Sequence, residues 1–372
     1  MNARAPAEIF PPGEFLREEL EARNWTQQEL AEILDRPPRL ISELLAAKRA
    51  VTPETAQGLA QAFGTSAEYW LNLESQYQLS KLGARTDYVE RKALLYSKFP
   101  VREMLRRGWI AAATNLDVLE QNFCEFFRIS NPSEVPSFAH SARKTDALAA
   151  PTMLQLAWLF RVRAMADRQL LAPYAPEVLE RAVTHLKALR TAPEEARRVP
   201  RILADAGVRF VVAEQMPGSK IDGACFWLDD SKPVIGMSLR HDRIDNFWFV
   251  LRHEIEHVLR EDGKGTSEPI VDSDVGVASE ELPEIEARAN SAAAHFCVEA
   301  SQLDDFVLRV NPFFSEQKIA AFAARIGVHP GIVVGQLHRK LGRFDFLRRH
   351  QVKVRAHILP SADVDGWGYI SS

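Results

Sequence analysis

Residues Phe247–Leu259 read Phe-Trp-Phe-Val-Leu-Arg-His-Glu-Ile-Glu-His-Val-Leu. At 100° per residue, Phe247, Trp248, Leu251, Ile255, Val258 and Leu259 fall on one stripe, which predicts an amphipathic helix with that side against a core. His253 and His257 lie one turn apart on a different face, with Glu254 beside the first. Two imidazoles so spaced can share one zinc ion, and the adjacent glutamate can take a proton from water acidified by the metal. With 10 His in 372 residues, a chance H-E-x-x-H is expected only ~0.02 times. Zn2+ on His253 and His257, with Glu254 as general base, is the expectation that follows.

A catalytic zinc needs a third protein ligand and one open position. The longer H-E-x-x-H-x-x-G-x-x-H pattern is absent, because Arg260 and Gly263 stand at its glycine and last histidine. Downstream, an alanine-rich helix is predicted from Leu282 to Val298. Its Glu286 and, one turn later, Asn290 share a face with Ala289, Ala293 and Phe296, so Glu286 is the candidate inward ligand and Asn290 a supporting group. Glu280, Glu281 and Glu284 read as a solvated helix start. His241 reads as a loop histidine, and His295, nine residues past Glu286, lies too far along the helix to be a ligand. Upstream of the metal helix, VRFVVAE, ACFWLD and KPVIGMSLR are β-branched and aromatic runs bounded by glycine, proline and aspartate, which predicts a small sheet. The edge of such a sheet can take an extended polypeptide as an added strand.

The first eighty residues are short helices separated by turn signals. Thr26-Gln27-Gln28-Glu29 is a capping box, Pro37-Pro38 opens a following helix, Thr52 caps one over Pro53–Phe63, and Ser66 caps a fifth. Two short helices across a tight turn form a helix-turn-helix. From about Lys81 to Pro200 the pattern stays helical and is punctuated by prolines, which reads as a spacer. Behind SEQKIAAFAARIGVHPGIVVGQLHRKL, read as two helices, seven basic residues (Arg339, Lys340, Arg343, Arg348, Arg349, Lys353 and Arg355) face one acid, Asp345.

The net charge of −4 gives no bulk attraction to nucleic acid. The three cysteines, Cys124, Cys225 and Cys297, are far apart, which argues against a disulfide frame. There is no signal-peptide stretch at the start and no uninterrupted apolar run of membrane-spanning length. A cytoplasmic protein with no membrane contact is expected.

The runs PGEFLREELEARNWTQQELAEIL and KRAVTPETAQGLAQAFGTSAEYWLNLESQYQL resemble the HigA-type DNA-binding antitoxin domain of the XRE family over residues 12–79. That resemblance implies a recognition helix from Pro37 to Ala46, with Arg39 and Ser42 towards base edges and Gln28, Lys48 and Arg49 near phosphates. It also implies DNA as a partner, bound by a homodimer across two half-sites. Asp35 stands where the family usually has glycine. Residues 1–80 carry seven Lys and Arg against twelve Asp and Glu, so a lone module would bind DNA weakly.

NFWFVLRHEIEHVL, EIEARANSAAAHF and GACFWLDDSKPVIGMSLR are together similar to the ImmA/IrrE family of zinc metallopeptidases, over roughly residues 200–345. The resemblance implies that Glu286 supplies the third ligand beside His253 and His257, that Glu254 is catalytic, and that the substrate is a regulatory protein such as a repressor. Where that family has His-Glu-Leu-Gly-His, this chain has Glu256, expected to project from the exposed side of the helix.

The expected architecture is therefore mainly α with a small β-sheet. It comprises a five-helix helix-turn-helix domain (1–80), a helical spacer (81–200), an α+β zincin-like metallopeptidase domain (201–300) and a C-terminal helical, helix-turn-helix-like basic segment (301–372). The expected function is a DNA-binding transcriptional regulator with a zinc-dependent endopeptidase that cleaves a repressor or toxin-antitoxin partner in stress or defence. The alternative is an antitoxin-like repressor that binds operator DNA and a toxin, its metal domain non-catalytic.

Overall fold

The computed structural model describes residues 9–82, 87–138, 151–265, 269–273 and 283–370. Glu280, Glu281 and Leu282, named from the sequence, lie outside them. The chain forms two compact units, Met1–Val89 and Glu90–Ser372.

The first unit holds α1 (Pro12–Arg23), α2 (Gln27–Ile33), α3 (Pro38–Leu45), α4 (Pro53–Phe63) and α5 (Ala67–Lys81). The predicted caps are present: Thr26 accepts from Glu29 N and the Glu29 carboxylate accepts from Thr26 N, while Thr52 and Ser66 accept from Thr55 N and Tyr69 N. Leu16, Leu20, Leu30, Ile41, Leu44, Leu59, Phe63 and Trp70 form one core. Gly13 is where α1 meets α3: a Cβ there would stand 2.6 Å from the Leu44 carbonyl oxygen, so only glycine permits the approach.

The second unit begins with α6 (Tyr88–Lys98), α7 (Val101–Arg106), α8 (Leu116–Phe127), α9 (Met153–Ala166), α10 (Pro176–Ala188) and α11 (Val199–Asp205). Strands β1 (Arg209–Ala213), β2 (Ile221–Trp227) and β3 (Pro233–Met237) lead into α12 (Ile244–Leu259) and then β4 (Ile270–Ser273). Helices α13 (Glu284–Cys297), α14 (Ala300–Val310), α15 (Glu316–Ile326), α16 (Pro330–Leu341) and α17 (Arg355–Ile358) precede β5 (Asp363–Asp365). The sheet order is β4-β2-β3-β1-β5, with β1 parallel to β3 and β5, and β2 antiparallel to β3 and β4. No single helix among the described residues is long and apolar enough to cross a membrane.

Both faces of the sheet are covered, because successive strand residues point to opposite sides and both sets are apolar. Phe210, Val212, Cys225, Ile235 and Met237 join one core with α12 and α16; Val211, Ala213, Ala224, Phe226 and Val234 join another with α8 and α9. This corrects the reading of residues 81–200 as a spacer. Trp158 of α9 donates its indole N–H to the Ala213 carbonyl at 2.9 Å and lies where a Cβ on Gly236 would come within 2.8 Å of it. Continuously buried strands demand a second covering layer, and α8 and α9 supply it.

The C-terminal segment is likewise part of the same body. Gly335 of α16 presses on Asp245 of α12, and β5 pairs with β1. Its basic run is largely committed: Arg339 lies 3.5 Å from the Phe249 ring centroid, Lys340 pairs with Asp304, Arg343 with Asp345, Arg349 with Glu316, and Arg355 donates to the Leu239 carbonyl. The four-part division expected from sequence gives way to two units because burying a two-sided sheet recruits chain from before and after it.

Candidate metal centre and helix-turn-helix module

Helix α12 was expected to have one buried and one solvent-facing side. Instead, Ile244 to Val258 are buried apart from a half-buried Arg252, since the sheet, α13 and α16 together enclose the helix. Glu256 is therefore not exposed. It is buried, with Oε2 accepting from Arg252 Nη2 at 2.7 Å and Oε1 from Arg260 Nε at 2.9 Å. Burial pushes its carboxyl up, but the arginines one turn on either side overcome this and hold it below the usual range.

His253, His257 and Glu286 converge. Their ligand atoms lie within 4.8 Å of one another, and all three side chains are buried. The two Nε2 atoms are 3.1 Å apart, His253 Nε2 is 3.2 Å from Glu286 Oε2, and His257 Nε2 is 3.7 Å from Glu286 Oε1. Ligand atoms about 2.0–2.1 Å from a tetrahedral zinc stand about 3.3 Å apart; His253 Nε2 is near that distance from both His257 Nε2 and Glu286 Oε2, while His257 Nε2 meets the other carboxylate oxygen at the longer 3.7 Å. His257 Nδ1 is 2.9 Å from Asp262 Oδ2. Burial raises the Asp262 carboxyl, and its bonds to His257 and Arg288 more than reverse that, holding it ionised and able only to accept. A neutral His257 that donates from Nδ1 to Asp262 leaves its Nε2 lone pair facing the other two donors.

Glu254 is fully buried and lies against β2. A Cβ on Gly223 would fall 2.1 Å from Glu254 Oε1 and 3.0 Å from Val250 Cγ1. The glycine makes the room that the carboxylate occupies. Neither Gly223 nor Asp262 was singled out in the sequence. The first is one glycine in a strand, where absence of a side chain hints at close approach; the second follows His257 by only five residues, the spacing of a helix-end reversal.

The expected role of Asn290 is not seen. It lies one turn past Glu286, but no hydrogen bond joins it to the three donors, and its buried Oδ1 has no partner among the described residues. The group that bonds His257 is Asp262, in the turn after α12, and Arg288 of α13 bonds Asp262 in turn. His295 is exposed and pairs with Glu299 at 3.0 Å; His241 is exposed and outside the donor group.

In the first unit, Gln28, Arg39, Ser42, Lys48 and Arg49 are all exposed. Arg39 and Arg49 converge on Glu43, at 2.7 and 3.3 Å, and Ser42 Oγ donates to the Arg39 carbonyl. The turn between α2 and α3 passes through Asp35 at φ 49°, a left-handed conformation that aspartate tolerates in place of glycine. Residues 16–70 match the family model described as Helix-turn-helix. A curated relative, the uncharacterized HTH-type transcriptional regulator YddM of Escherichia coli K12, is 32% identical over 84 residues, which are 23% of this chain and 89% of that protein.

This chain belongs to the helix-turn-helix family.

Virulence-associated protein I of Dichelobacter nodosus is 39% identical to this helix-turn-helix chain over 69 residues, 18% of it and 64% of that protein. Among solved structures, an addiction module antidote protein of a HigA family from Coxiella burnetii is 32% identical, covering 23% of this chain and 94% of its own, at a TM-score of 0.21. PA4674 of Pseudomonas aeruginosa, in complex with its operator DNA, is 30% identical, covering 20% of this chain and 82% of its own, at a TM-score of 0.20.

Proposed function

We propose that this protein is a cytoplasmic, homodimeric, DNA-binding transcriptional regulator whose second unit is a zinc-dependent endopeptidase acting on another regulatory protein. The observation that carries the enzymatic half is the convergence of His253, His257 and Glu286, with ligand atoms within 4.8 Å of one another, on the helix that also carries the Glu254 carboxylate and the helix packed against it. Two imidazoles and one carboxylate are the donor set of a hydrolytic zinc site. A zinc ion bound there supplies Lewis acidity towards water and a peptide carbonyl. Glu254, seated against Gly223, takes the proton of the attacking water and returns it to the leaving amine. Strand β4, at one edge of the sheet and paired with β2, offers an edge for an extended substrate.

Similarity to HTH-type regulators and HigA-family proteins supports DNA binding by the first unit, with α3 as the helix that enters the major groove. Arg39 and Ser42 would face bases, and Gln28, Lys48 and Arg49 phosphates.

The test is a cleavage assay on zinc-loaded full-length protein and its Glu254→Gln variant, against proteins encoded beside it. The wild type cuts one of them and the variant, with equal zinc content, does not; no cleavage by the zinc-loaded wild type refutes the peptidase. The near-complete burial of His253, Glu254, His257 and Glu286 favours a second reading, an antitoxin-like repressor whose metal site is structural or sensory. Zinc binding and DNA binding without any cleavage would select it.

A further inference from the structure

Helix α12 does not simply stop after its second histidine. Arg260 caps it and Glu261 turns left-handed at φ 56°, so that Glu261 N donates to the Val258 carbonyl at 3.1 Å and Asp262 N to the His257 carbonyl at 2.9 Å. This is a Schellman reversal, which folds the chain back over the last turn of a helix. It sets Asp262 above His257, where its Oδ2 reaches Nδ1 at 2.9 Å. Two further elements hold the reversal. The Trp227 indole of β2 donates to the Asp262 carbonyl oxygen at 3.1 Å, and Arg288 Nη2 of α13 donates to both Asp262 carboxylate oxygens, at 3.0 and 2.7 Å. Arg288 is two residues past Glu286, so the same helix carries one donor and the clamp on another donor's partner.

We propose that Asp262 and Arg288 are the positioning residues of this metal site: Asp262 fixes the tautomer and ring plane of His257, and Arg288 ties that arrangement to the helix bearing Glu286. This rests on the zinc reading above. An imidazole whose far nitrogen bonds to a carboxylate is a stronger and better oriented donor, and loss of such a partner weakens metal affinity by ~10–100-fold. Arg288 acts on the acid rather than on the ring, so its removal has a smaller effect in the same direction.

The experiment measures zinc affinity of the full-length protein by competition with a chromogenic chelator, zinc alone being the probe, with the unfolding midpoint of metal-free protein as a second readout. Asp262→Asn keeps the shape and an acceptor oxygen but removes the charge; it weakens zinc ~10–100-fold while the metal-free midpoint stays near that of the wild type. Arg288→Ala weakens zinc less, Arg288→Lys restores most of that loss, and Asp262→Ala/Arg288→Ala is no worse than Asp262→Ala alone. Because the Arg288 side chain is about a third exposed, its variants keep the comparison open should Asp262 variants fold poorly. Wild-type-like affinity in Asp262→Asn and Arg288→Ala overturns the proposal. A wild type that binds no zinc overturns the reading beneath it, before any variant is compared.

Discussion

Replacing Gly223 by alanine adds one methyl group at the place where Glu254 rests on the sheet. The new Cβ would stand 2.1 Å from Glu254 Oε1, 2.9 Å from its Cδ and 3.0 Å from Val250 Cγ1. Ordinary contact needs roughly 3.4 Å, so the carboxylate must retreat by about 1.3 Å or the strand must move. Neither is easy, because Glu254 and Val250 are both fully buried. Overpacking of this kind costs about 1–3 kcal/mol, a fall of roughly 2–10 °C in the unfolding midpoint for a unit of this size. The nearest atoms belong to Glu254 and Val250 rather than to the three donors, so zinc content should hold. Cleavage, if the peptidase reading is right, falls ~100-fold, the effect of a 1 Å misplacement of a reacting group. Calorimetry on Gly223→Ala, Glu254→Ala and the double variant isolates the clash: with the carboxylate gone, the alanine should cost much less, leaving only the tight Val250 contact. Equal midpoints for wild type and Gly223→Ala, or a strictly additive cycle, would refute the claim that glycine is there to admit the carboxylate.

Glu43→Gln releases Arg39 and Arg49 from their shared carboxylate and should tighten binding to a labelled duplex from the region upstream of the protein's own coding sequence severalfold. Unchanged affinity, or a response that ignores salt, would count against α3 as the DNA-reading helix. Ala47 has φ 53°, a conformation costly for alanine, so Ala47→Gly should stabilise the first unit by about 0.5–1 kcal/mol in urea melts. Glu103, hydrogen-bonded by Arg106 and, against the cost of burial, by Arg107, is held down to about 2. A lowered carboxyl stabilises the fold above its unfolded value near 4.5 and loses that effect as pH falls towards 2. Glu103→Gln should therefore be less stable than wild type at pH 6, with the gap narrowing below pH 4.5 and closing only as pH approaches 2.

Local signals were legible wherever the physics is local. Thr26 with Glu29, Thr52, and Ser66 announce helix starts because a cap needs only the residues around it. The spacing of His253 and His257 places two imidazoles on one helical turn wherever that helix lies. Glu286 was readable as inward-facing because the small residues around it mark a packed face. What periodicity misjudged was how many sides of an element would be covered. Glu256 looked exposed opposite an apolar stripe, but Arg252 and Arg260 neutralise it beneath a second layer of helices. The helices before residue 200 looked like a spacer because their apolar faces do not name what they cover.

From sequence alone came the helix-turn-helix module, the three strand runs that precede the metal helix, and the two histidines and glutamate of one turn, all set by near neighbours in the chain. Tertiary structure alone decided that Asp262, not Asn290, would steady His257, that Gly223 would yield its space to Glu254, and that chain from both sides of the sheet would close around α12. Each of those depends on which distant surfaces meet, and burial of a two-faced sheet is settled only when the whole unit packs.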